Sequence, residues 1–201
     1  MSINVCNDRS MASITSLPSG VSGSSLVLLE TQTASSSSTI SFTSNIDSTY
    51  KEYVFKFIDI HPATNGAFFQ FNMSADSGSN YNVTKTTSSF YAYHTESGSA
   101  SALTYDTGQD LAQGTGFQNL LYAISNDNDS TGSGELRIFD PSSTTFVKHF
   151  IATSNTAANS PYSINFYYGG YGNTTSAVDA IQFKMNTGNI DSGTIKMYGV
   201  V

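Results

Sequence analysis

The chain has 201 residues and a formal net charge of −7, from 15 acidic and 8 basic side chains scattered along it. No basic stripe is available to hold a phosphate backbone, which excludes a nucleic-acid binder. Charged residues make up 11% of the chain against roughly 25% in ordinary soluble domains, while Ser and Thr supply 56 of the 201 positions, so the polarity is hydroxyl and amide rather than ionic.

In chain order, residues 1–10 carry Asp8 and Arg9 and no apolar run, so no secretory signal is recognisable and assembly in the cytosol is expected. Cys6 is the single cysteine, which rules out an intrachain disulfide. Residues 1–23 lack alternating aromatics and close on Pro18, Gly20 and Gly23; they read as an N-terminal arm. Within it Met11, Ile14 and Leu17 recur at helical spacing, in a segment too short to be helical alone, and are the candidate docking contacts.

From residue 24 to 201 the pattern becomes short β runs separated by turn chemistry, the signature of one antiparallel β-sandwich domain. Strands are predicted over 25–33, 39–43, 53–60, 67–73, 81–87, 90–93, 120–124, 135–139, 146–153, 163–168, 180–185 and 194–200. The longest aliphatic stretch, 26–29, is far too short to span a bilayer, so no membrane partner is expected. In the 53–60 run Tyr53, Phe55 and Phe57 fall on one face, and Val54, Ile58 and Ile60 on the other. A strand apolar on both faces is predicted to be central, and Val54 and Ile58 become candidate subunit contacts. Residues 98–118 read as a long loop at one end of the sandwich, with a helical turn near 110–112. In the 163–168 run Ile164, Phe166 and Tyr168 share the core face, leaving Tyr167 and Tyr171 as candidate glycan or partner contacts.

Sites for chemistry are sparse. His61, His94 and His149 stand apart, in no metal-binding pair. The acidic loop 127–132 (DNDSTG) could gather oxygen ligands around Ca²⁺, yet Ile138 occupies the position where a bidentate Glu would belong, and a solvated hairpin loop is the better reading. No nucleophile elbow and no standout acidic pair are present, so no enzyme, cofactor or metal is expected.

Several stretches carry a family resemblance: GELRIFDPSS at 134–143, KHF at 148–150, GNIDSGTIKMYG at 188–199, and, upstream, TQTAS at 31–35 and YNVT at 81–84. Together they resemble virion structural proteins of marine tailed phages, cyanophages among them, the terminal GTIKMYG being the most specific piece. The resemblance implies a jelly-roll-like domain, often a homotrimer, that decorates the capsid or serves as a head or tail fibre module. The implied partners are copies of itself and the major capsid protein or other virion proteins. The alternative function is an adhesin reading a host surface glycan.

Overall fold

The structure, a computed structural model, describes residues 25–201; the predicted arm with Met11, Ile14 and Leu17 lies outside them. The described residues are all β. The strands are β1 (Leu26–Ser37), β2 (Ile40–Phe42), β3 (Glu52–Pro62), β4 (Ala67–Ser74), β5 (Lys85–Thr95), β6 (Ser101–Tyr105), β7 (Gln118–Ile124), β8 (Gly132–Phe139), β9 (Lys148–Ala157), β10 (Tyr162–Gly172), β11 (Ala180–Met185) and β12 (Ile190–Val200).

They form two antiparallel sheets, a large one in the order β1-β12-β3-β8-β9-β10-β5-β6 and a small one in the order β2-β11-β4-β7. The pairs β1·β12, β2·β11, β3·β8 and β4·β7 nest inside one another along the chain. Such nesting is a long hairpin rolled on itself, which is the jelly roll. Two insertions, β5–β6 and β9–β10, both add to the large sheet beyond β8. The sandwich is therefore lopsided: β7, at the edge of the small sheet, packs against β9 and β10, and the large sheet continues past it to β5 and β6.

Alternation places the core. Phe55 and Phe57 of β3 and Phe150 of β9 meet Phe42 of β2, Phe69 and Phe71 of β4 and Phe183 of β11, all fully buried or nearly so. Their rings interlock: Phe69 stacks on Phe183 at 5.5 Å, and Phe71 meets Phe150 edge-on at 5.1 Å. Each such ring removes about 150–250 Å² from water, so the aromatic layer dominates the burial.

Strand β3 departs from simple alternation. Asp59 has φ 51° and the register with β8 slips between Phe57 and Ile60, a bulge that turns Ile60 into the core with Tyr53, Phe55 and Phe57. Val54, a predicted subunit contact, points outward between Arg137 and Tyr198 on the adjacent strands and is fully buried within the chain, so it has no surface to offer a partner. Ile58 is on the surface, 38% exposed.

Two predicted elements change. Residues 81–84 lie outside any strand, and the rest of the 81–87 run merges with 90–93 into β5, because Ser88 and Ser89 continue the ladder rather than turn it, and Ser89 Oγ donates to the Asp106 carbonyl at 2.7 Å. The predicted loop 98–118 contains β6, joined to β5 by a turn at Gly98 (φ 70°). Beyond β6 the chain doubles back along the first half of β5: Asp106 N donates to Ser89 O, Thr87 N to Leu111 O, and Lys85 and Gly114 exchange a pair of bonds. Residues 110–112 form no helical turn.

Candidate functional site

The outer face of the large sheet divides into a charged half and an uncharged half. On β3, β8 and β12 it carries Glu52, Lys56, Glu135, Arg137 and Lys196, with Arg137 bridging Glu135 at 2.8 Å and Glu52 at 2.9 Å. On β9, β10, β5 and β6 it carries no Asp, Glu, Lys or Arg. The two lysines in those strands, Lys85 and Lys148, point the other way and are fully buried. Lys85 Nζ donates to Asn72 Oδ1 at 2.5 Å and to Val83 O at 2.8 Å; Lys148 Nζ donates to the carbonyls of Ser143, Phe146 and Thr174. Burial pushes Lys85 down to about 7 and lowers Lys148, and among the described residues neither forms an ion pair with a carboxylate, so both are structural plugs that solder loops to strands.

In place of charge the uncharged half presents rings and aliphatic chains. Tyr105 of β6, Phe90 of β5 and Tyr167 of β10 stand in one cross-strand row. Phe90 and Tyr167 stack face to face at 4.8 Å with planes 9° apart, and Tyr105 is held by its hydroxyl donating to Asp110 Oδ2 at 2.6 Å. Leu103, 72% exposed, and Ile151 flank the row. A shallow groove of about 590 Å³ runs over Gly169, lined by Ile151, His149 and Tyr171. At the margin of this face β6 pairs, among the described residues, only with β5, and its sequence SALTY has neither charge nor proline to blunt an open edge.

Of the residues singled out in the sequence, Tyr167 and Tyr171 lie together on this face, and Ile164, Phe166 and Tyr168 are buried in the core. Ile58 lies elsewhere, on β3. Phe90, Leu103, Tyr105 and Ile151 were not foreseen. The signal for β6 was present in the Ser97-Gly98 turn between two alternating runs, but the face needed the β10·β5 and β5·β6 registers to be visible.

The histidines remain apart: His61 Nδ1 lies 2.8 Å from Ser130 O, His94 opposes Ser101 and His149 packs on Tyr171. In the 127–132 loop Asp127 accepts from Ser125 Oγ at 2.9 Å, and among the described residues no three His, Cys, Asp or Glu side chains come together. Among them, too, no helix is long and apolar enough to cross a membrane. Comparison with protein-family models, curated proteins and solved structures finds no match to this chain, and its own surface is what bears on function.

Proposed function

We propose that the protein is a non-enzymatic structural component of a tailed-phage particle, a capsid decoration protein that acts by self-association and by docking on neighbouring virion proteins. The observation that carries this reading is the partition of charge on the large sheet. Interface cores are depleted in charged residues and enriched in aromatics, and that is the composition of the β9-β10-β5-β6 face. The open edge of β6 supports it, since an unblunted edge strand is a template for a second chain. The resemblance of 134–143 and 188–199 to phage virion proteins supplies the particle, and the trimer it implies is the assembly expected.

Light scattering at micromolar concentration should report three subunits, and the double variant Phe90→Lys, Leu103→Lys should fall to one while keeping its circular dichroism spectrum. A wild-type protein that stays monomeric overturns the reading. A second reading, a fibre module gripping a host glycan, draws on the flat Phe90–Tyr167 stack beside the Gly169 groove. It requires Tyr167→Ala to abolish binding to host cells while leaving the subunit mass unchanged.

A further inference from the structure

Where the large sheet outruns the small one, a cavity opens on its inner side. The returning chain pairs along the edge of the first half of β5, β7 packs on β9 and β10, and a recess opens over the inner side of the second half of β5. There Tyr91, Tyr93 and Thr95 of β5, Tyr162 of β10, Tyr122 of β7 and Asp106 line a space of about 320 Å³. The rings are set at angles, as walls: Tyr93 lies 5.7 Å from Tyr162 with planes 59° apart, and 6.1 Å from Tyr91 at 40°. They are fixed from behind, Tyr91 and Tyr122 both packing on buried Phe166 at 5.1 and 5.3 Å.

The electrostatics have one sign. Asp106 Oδ1 accepts from Gly108 N at 2.9 Å, and among the described residues no Lys, Arg or His pairs with it or lines the cavity. Burial, and then the Asp106 charge, hold the Tyr91 phenol above its usual range, and burial does the same for Tyr162, so these rings stay protonated. Ring faces are negative, and a lining of four tyrosines and one carboxylate suits a positive charge that is too large and weakly hydrated for a tight ion pair. A sugar would call for one flat platform and convergent amide or guanidinium groups, and the lining contains no Asn, Gln or Arg.

We propose that this cavity binds a small organic cation, a quaternary or alkylated ammonium group, with Tyr91, Tyr93, Tyr122 and Tyr162 enclosing it and Asp106 balancing its charge. The site faces away from the outer sheet face, so it stands or falls separately from self-association. Choline and its uncharged carbon isostere, dimethylbutanol, are the probes, followed by calorimetry and tyrosine ring chemical shifts on the full chain. Choline should bind with a Kd on the order of 1 mM, and the isostere at least about tenfold more weakly. Asp106→Asn, which keeps the bond to Gly108, should weaken choline by about five- to tenfold, and Tyr93→Leu, which keeps an apolar side chain but removes the ring, should weaken it similarly. Both variants should keep the wild-type circular dichroism spectrum and subunit mass. No choline binding at tens of millimolar, on the order of ten times the expected Kd, overturns the proposal. So do equal affinity for the isostere and tighter binding of a methyl glucoside.

Discussion

At the scale of single residues, the two buried lysines bear on stability most directly. Lys85 gives up its proton near pH 7 when folded and near 10.5 when unfolded. Between those values the unfolded chain holds more protons, so stability rises with pH; below about 7 both states are charged and the desolvation cost is carried in full. Above about 10 the sign reverses. Burial raises Tyr53 and holds Tyr168 well above the ordinary phenol range, so the unfolded chain loses those protons first. Urea midpoints should therefore climb from pH 7, peak near 10 and fall beyond, with the climb worth on the order of 3–5 kcal/mol. Lys85→Met should flatten the climb; an unchanged slope in that variant would assign it to other groups. Nothing in the sequence marked Lys85, because a lysine in a Ser/Thr-rich run reads as exposed until Asn72 and the Val83 carbonyl are seen to meet it.

At the scale of elements, the terminal GTIKMYG run has a steric reason for the glycine at each end. Gly193 sits opposite the β3 bulge with φ 130°, where a Cβ would come 2.9 Å from Asp59 O and 2.8 Å from Ile60 Cδ1. At Gly199 a Cβ would enter the Tyr50 ring. Gly193→Ala should cost about 1–3 kcal/mol in chemical denaturation, from strained backbone and overpacking together. Gly169→Ala, whose Cβ would meet nothing within 4 Å, should cost little and serves as the control. Equal losses at the two positions would mean that the bulge is not what selects glycine. The bulge is also why period-two reasoning put Ile60 on the wrong face of β3: one extra residue inverts the alternation beyond it.

At the scale of the whole molecule, the lopsided sandwich predicts uneven protection. Strands β3 and β12 lie between neighbours in the large sheet and pack on the core, so their amides should exchange only through global unfolding. Strand β6 has one neighbour among the described residues and all five of its own residues exposed. Its amides should exchange fastest in dilute protein and slow at least about tenfold as concentration drives association. Hydrogen exchange at two concentrations reads this, and a β6 whose rates ignore concentration would remove the edge from the interface.

The sequence by itself determined the all-β class, the β1–β4 and β7–β12 order and the inward set Ile164, Phe166 and Tyr168, because alternation and turn chemistry are local and act within a few residues. It also determined that the surface would be charge-poor. Which face would be free of charge, and where the large sheet would outrun the small one, were decided by the tertiary structure alone. The β5–β6 insertion joins the large sheet through pairings with β10 such as Tyr167↔Phe90 and Gly169↔Ser88, between residues far apart in the chain. No local pattern encodes that register, and the aromatic row on one side of it and the tyrosine-lined cavity on the other exist only once those strands lie side by side.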